Sequence, residues 1–528
     1  MSDNDEQNPP PNEDDEQNPP HYYSDTSDSS IPPSDDSRTS SDDSRTSSDD
    51  SYDNFDHLRS SRRYEARADH YSSEENTTDR ADRVFPPRRK KLKSFDGPDR
   101  ISTLPDTILH QILSFIDTKQ VVRSSIISRR WKTLWKAVPT LNFYSPVSNR
   151  RRSQKNARNK TNFVRFVDRV LLLRDEDATI EKLSLSTSTL SDLEDWMVIA
   201  KRKHVQELHL DYKPRADSEL TKFLFSLDIE VLKISTAGHV QIPRYMRVAP
   251  HLRTIELSST RLPYGKTNRD LNLKCPSLEN LTIRHCDHRH LRVLEISAPQ
   301  LKTLVLENQP SDHTSTCQLQ ISTPSLLSVV LKGTTYKEYS FTNLESLVNA
   351  KFDLDEKYPV EAGMLYQVLN GFSNVRNLQL SARTLNASEE TSDMMNNFFK
   401  PFLNLRCLRV FGFSDGSCVG PICDLLDSSH SVESLVLGID QFPTNNDWTE
   451  LRQCFSRLKS IEIQGVTGNE VELKILKFIS ETAVLLEAFT VMADKKFSLK
   501  TRREQASFSF KIHSLPKSSS MVGIFFLV

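Results

Sequence analysis

Long apolar runs are missing from this 528-residue chain. No stretch of eighteen consecutive apolar residues occurs, so nothing in it reads as a membrane-spanning helix. Cysteine is scarce: the seven present are an odd set without a Cys-x-x-Cys pair, which fits a reducing compartment better than a disulfide-stapled secreted fold. Charge of one sign is also lacking, since 69 basic side chains face 71 acidic ones, and a net charge of −2 argues for neither nucleic acid nor an acidic substrate. The opening "MSDNDEQNPPPNEDDEQNPP" has neither the basic nor the apolar region of a secretory signal. No G-x-S-x-G, Walker loop, G-x-G-x-x-G or H-E-x-x-H is found. The expectation is a soluble, non-catalytic protein of the nucleus, the cytoplasm or both, with no cofactor.

Residues 1–95 read as a disordered tail. Met1 to His57 carries seventeen acidic and two basic side chains with almost no aliphatics, too little apolar surface to offset the entropy of ordering. Ser40 and Ser47 each precede an acidic residue by three positions, a pattern suited to an acidophilic kinase. The sign then reverses at Arg88, Arg89, Lys90, Lys91 and Lys93, a candidate nuclear-import or polyanion-binding cluster. A second basic run, "RRRSQKNARNK" at 150–160, reads as a solvated loop on a linker.

Between these runs, residues 99–143 are patterned as three short helices. Pro105 opens the first, followed by Ile108, Leu109, Ile112, Leu113 and Ile116 at helical spacing. Thr118 is the expected cap of a second helix bearing Val121, Val122, Ile126 and Ile127. Ser128 is the expected cap of a third, on which Trp131, Leu134 and Trp135 share a face. A unit of about forty residues cannot bury both its own core and every one of these side chains, so the surplus implies a partner protein.

From Ile180 onward the pattern L-x-x-L-x-L recurs: "IEKLSL" at 180–185, "VQELHL" at 205–210, and so on through "LEAFTV" at 486–491. A degenerate copy, "LESLVN", stands at 344–349. Spacings are mostly 23 to 28 residues, the signature of a leucine-rich repeat solenoid with parallel strands on its concave face. The residues between the leucines would form the target-binding surface: Glu207, His209, Lys233, Glu256, Thr282, Gln379, Arg409 and Glu462. Their mixed charge suits protein recognition better than a polyphosphate site. Cys286 occupies the repeat's Asn/Cys position. The histidines around it, His285, His288 and His290, are too crowded for a zinc site of ordinary spacing, so no metal is expected.

Asp99 to Phe143, with "DRIS", "LPD", "ILSF", "TKQVVRSS", "SRRW" and "LWKAVP" in order, closely resembles the plant F-box motif; Asp117 stands where many relatives have Pro. The segment from Cys275 to Leu306 is similar to plant F-box proteins with leucine-rich repeats. Residues 454–491 look like the C-terminal FBD region of that group, and "LPKSSSMVGIFFLV" resembles its closing strand loosely. The stretch "KKFSLKTRREQASFSFKIHS" before it departs from the usual helix.

The resemblance implies an α/β architecture: a tail over 1–95, an F-box over 97–144, a linker and entry helix over 145–175, repeats over 176–425 and an FBD-like region over 426–528. It also implies the substrate receptor of a Skp–cullin–F-box ubiquitin ligase. In that role the F-box binds a Skp-type adaptor, and through it a cullin–RING ligase, while the repeats bind a target. Carried onto this chain, adaptor contacts fall on Leu104, Pro105, Ile108, Leu109, Ile112, Leu113, Ile116, Val121, Val122, Ile126, Trp131, Leu134 and Trp135, with both tryptophans as partner-facing and interdomain anchors. Two alternatives compete: a hormone-receptor-like protein in which a small ligand joins target to solenoid, and a nucleic-acid binder using the two basic runs.

Overall fold

The computed structural model describes residues 100–527 with interruptions, the longest at 145–153, 242–250, 386–400 and 442–451. The tail over 1–95, Arg88, Arg89, Lys90, Lys91 and Lys93 included, lies outside the described residues.

Pro105, with φ of −58°, precedes α1 (Asp106–Ser114), where its missing N–H costs no helical bond. The cap of α2 (Thr118–Arg123) is Asp117 rather than Thr118: its carboxylate accepts from the Lys119 N–H at 2.8 Å. Asp is a strong capping residue, so the place of the family's proline is filled by a different device. Thr118 instead uses its hydroxyl across the domain, accepting from the Asn142 N–H at 2.7 Å. Ser128 accepts weakly, at 3.4 Å, from the N–H of Trp131, the first residue of α3 (Trp131–Leu134).

After Pro139 the chain enters β1 (Thr140–Phe143), which pairs in parallel with β2 (Lys182–Thr187). The last segment of the helical unit is therefore the first strand of the repeat sheet. Between them, α4 (Gln154–Leu172) covers much of the basic run expected as a loop. Half-buried Phe163, Val164 and Phe166 and buried Val167, Val170 and Leu171 recur at helical spacing and hold it against the core.

The sheet continues in parallel through β3 (Glu207–Tyr212), β4 (Val231–Thr236), β5 (Thr254–Ser258), β6 (Asn280–Arg284), β7 (Thr303–Glu307) and β8 (Ser328–Gly333). It runs on through β9 (Asn349–Leu354), β10 (Asn377–Ser381), β11 (Cys407–Phe413), β12 (Ser434–Ile439), β13 (Ser460–Val466), β14 (Ala488–Ala493) and β15 (Gly523–Leu527). In chain order these are the 15 strands of one sheet. Every L-x-x-L-x-L segment seeds one strand of β2–β14, because its last two apolar positions point to the same side of a pleat with period two.

One register differs. The degenerate "LESLVN" slips by three residues, and Leu347, Ala350 and Phe352 fill the core positions of β9. Phe352 is fully buried and outweighs the position of Leu344.

Behind the sheet, the returning segments are of two kinds. Helices back the outer repeats: α5 (Leu190–Arg202), α6 (Ala362–Gly371), α7 (Val419–Asp427), α8 (Glu470–Thr482) and α9 (Arg502–His513). The middle repeats instead return through four parallel strands, Asp270–Leu273, Val293–Ser297, Gln318–Ser322 and Glu338–Thr342. Gly333 lets adjacent turns approach closely: at φ +100° a Cβ there would sit 2.4 Å from the Asn308 carbonyl oxygen.

The C-terminal stretch that departs from the family's helix is helical all the same. α9 begins with a reciprocal capping box between Thr501 and Glu504, and β15 completes the sheet beside β14.

Candidate functional site

The helical unit is stapled from both sides. Arg130 reaches the Asp106 carboxylate and the Leu104 carbonyl, tying the start of α3 to the start of α1. Arg174, 5% exposed, donates to the Val138 carbonyl at 2.8 Å and the Thr179 carbonyl at 3.0 Å, clamping the seam between α4 and the strands. Burial pulls its pKa down to about 10, with neighbouring Asp175 opposing the shift.

The structure divides the thirteen adaptor-facing candidates. Leu109, Leu113, Val121, Trp131, Leu134 and Trp135 lie in the chain's own core; the tryptophans are only 8% and 9% exposed. Their outward role is corrected: α1 and α3 pack on each other, and these side chains join the chain's own hydrophobic core. Leu104 and Val122 are half-buried, while Pro105, Ile108, Ile112, Ile116 and Ile126 are exposed.

Exposed beside them are Ile127, expected on the second helix, and two residues outside the expected set, Ile101 and Phe115, the phenylalanine at 89%. Ile108 and Ile112 of α1, with Phe115 and Ile116 just past its end, make one exposed stripe beside the face that carries Leu109 and Leu113. Phe115 follows the helix's last residue and lies one step off the i, i+4 series, so the helical pattern of the sequence does not mark it.

On the sheet, His209, Lys233, Glu256, Thr282, Gln379, Arg409 and Glu462 fall in one register row across the concave face, with Glu207 in the adjoining row. Ion pairs knit the first half of that face: Lys182–Glu207 at 3.2 Å, Lys233–Glu256 at 3.1 Å, and Arg284 bridging Glu256 at 3.6 Å and Glu307 at 3.5 Å. Lys332 continues the series to Glu307 at 3.6 Å.

A cavity of about 250 Å³ opens on this half, lined by Tyr144, Ser184, His209, Asp211, Lys233 and Glu256 among others. Burial, with Lys182 and Lys233 adding to it, lowers the His209 pKa, against the pull of Glu207 and Glu256.

The His/Cys loop spends its side chains on the backbone. Cys286 contacts Thr260 Oγ1 at 3.1 Å and the Leu257 carbonyl at 3.7 Å, the ladder position expected of it. His288 is buried, its Nδ1 3.3 Å from the Cys286 carbonyl and its ring 5.1 Å from that of Tyr336. His290 meets the Leu262 carbonyl.

Comparison with known proteins finds the helical unit and the repeats together in one kind of molecule. The F-box domain family matches residues 101–142, the helical unit and most of β1. F-box/FBD/LRR-repeat protein At3g51530 of Arabidopsis thaliana is 30% identical over 424 residues, 77% of this chain and 88% of that protein. F-box/FBD/LRR-repeat protein At5g22660, also of Arabidopsis thaliana, is 26% identical over 432 residues, 75% of this chain and 90% of that protein. Fold and sequence define an F-box protein with a leucine-rich repeat solenoid. The chain belongs to the F-box/FBD/LRR-repeat family.

Proposed function

We propose that this chain is a non-catalytic substrate receptor of a Skp–cullin–F-box ubiquitin ligase. Its F-box docks a Skp-type adaptor and its solenoid holds a target protein for ubiquitination. The observation that carries this reading is the stripe Ile108, Ile112, Phe115 and Ile116, left exposed along and just past a helix whose adjoining face is already in the core. Burying a large apolar side chain stabilises an interface by about 1.5–3 kcal/mol. Ile101, Ile126 and Ile127 added to the stripe, several already partly covered, therefore offer on the order of 6–13 kcal/mol, comparable with an association cost of about 4–15 kcal/mol. The concave face, charged in both signs and held by a rigid sheet, suits a protein partner. No chemistry is asked of this chain; it concentrates a target near a ligase on the same scaffold.

The test is co-purification of the full chain with a Skp-type adaptor. Phe115→Asp and Ile112→Asp should each lower adaptor capture at least about tenfold while leaving the unfolding midpoint unchanged, since both side chains are solvated in the free chain. Trp135→Ala should lower capture and stability together, by about 3–5 kcal/mol for the latter. Full capture by both aspartate variants would overturn the reading.

A further inference from the structure

The self-neutralising series of concave charges stops at Lys332 on β8. The next two cations of the concave row, Lys351 on β9 and Arg409 on β11, make no side-chain ion pair or hydrogen bond among the described residues. Gln379 on β10 lies between them in register. The acidic neighbours on this face leave the pair available. Asp353 lies two residues further along β9, in register with Lys332, and Glu462 stands two strands beyond Arg409, where it accepts from Gln464. Beside Arg409, half-buried Phe411 packs against Gly438, where a Cβ would come within 2.3 Å of its ring. Val436, of the same concave row, is buried. The patch thus offers two unmatched positive charges, an amide between them and an apolar floor at one end.

Spacing then selects the ligand. Two strand separations of about 4.8 Å place Lys351 and Arg409 roughly 9.6 Å apart across the face. A polyproline II segment repeats every three residues at about 3.1 Å each, so side chains at i and i+3 point the same way about 9.3 Å apart. Resting on the proposal that the solenoid holds the target, we infer that β9–β11 is the docking site for an extended acidic segment of that target. Its carboxylates three residues apart meet Lys351 and Arg409, and an apolar residue beyond them meets Phe411. A helical segment fits this row less closely, since its acids lie about 5.4 Å apart over one turn and about 10.8 Å over two.

The experiment uses the full chain and a fluorescein-labelled nine-residue peptide, Glu-Pro-Pro repeated three times, followed by anisotropy at low salt. Lys-Pro-Pro repeats test charge, and alternating Glu-Pro repeats test spacing. The Glu-Pro-Pro peptide should bind and weaken with added salt. Lys351→Gln and Arg409→Gln should each weaken it about fivefold, as loss of one exposed ion pair does. Lys233→Gln, which removes a cation already paired with Glu256, should change it less than twofold. No binding, equal binding of the lysine peptide, or an equal loss in Lys233→Gln overturns the inference; equal binding of the Glu-Pro peptide overturns its spacing. Adaptor capture is measured on the same variants. Lys351→Gln and Arg409→Gln should retain it and Phe115→Asp should lose it while still binding peptide, so failure here is distinct from failure of the receptor reading.

Discussion

His209 shows how one side chain reports its surroundings. It sits in the concave row between Lys182 and Lys233, partly covered by the strands, and both burial and the lysines disfavour its charged form. Its pKa in the fold is below the ordinary 6.5 of the unfolded chain. Between those two values the unfolded state binds the extra proton, so stability is complete above pH 6.5 and falls as the pH drops through the folded value. The urea midpoint should therefore decline on acidification below pH 6.5, and His209→Asn should flatten that part of the curve. An unchanged acid limb in the variant would show that His209 titrates alike in both states. Cys275 and Cys317 are the opposite case: burial pushes the first thiol up to about 11 and the second up to about 12, so both stay protonated at neutral pH.

At the scale of an element, the entry to α8 depends on one buried carboxylate. Glu472, 1% exposed, accepts from the Thr467, Gly468 and Asn469 N–H groups at 2.6–3.1 Å and from the Thr467 hydroxyl at 2.6 Å. Asn469 caps the helix in return, accepting from the Glu472 N–H at 2.8 Å. The sequence "GNEVELK" carries the cap signature Asn-x-x-Glu, yet nothing in it says that the carboxylate is sealed beneath the loop. Hydrogen bonds to a charged group contribute about 1.5–3 kcal/mol each way they are lost, so Glu472→Gln should destabilise the C-terminal repeats by about that amount. Hydrogen exchange over 467–482 should rise before that of β4–β7. Equal protection in the variant would mean that the neutral amide satisfies the same donors.

Across the whole molecule, the consequential feature is that the F-box is built into the solenoid. β1 belongs to the repeat sheet, and the Thr118 hydroxyl ties α2 to its Asn142 N–H. A docked adaptor would thus be held at a set angle to the concave face, with no flexible joint at β1. Thr118→Val keeps the shape but leaves the half-buried Asn142 N–H without its acceptor, a cost of about 1 kcal/mol. Because repeats couple mainly to their neighbours, that cost should appear as faster amide exchange in α1 and α2 with little change in β11–β14. Uniform loss of protection along the solenoid would show a single cooperative unit instead.

Residue pattern alone determined the repeat architecture, since a leucine pair with period two on a fixed spacing has one economical burial, by stacking on its neighbours. It determined the family too, through motifs such as "LPD" and "SRRW" whose residues make local caps and staples. Which apolar side chains of residues 99–143 stay outside was decided only by the tertiary structure. Leu113 and Ile112 are equally apolar and adjacent, and only the packing of α1 against α3 sends one into the core and leaves the other half exposed. The same holds on the concave face: Lys233 and Arg409 occupy equivalent repeat positions, but pairing across strands neutralises the first and leaves the second open.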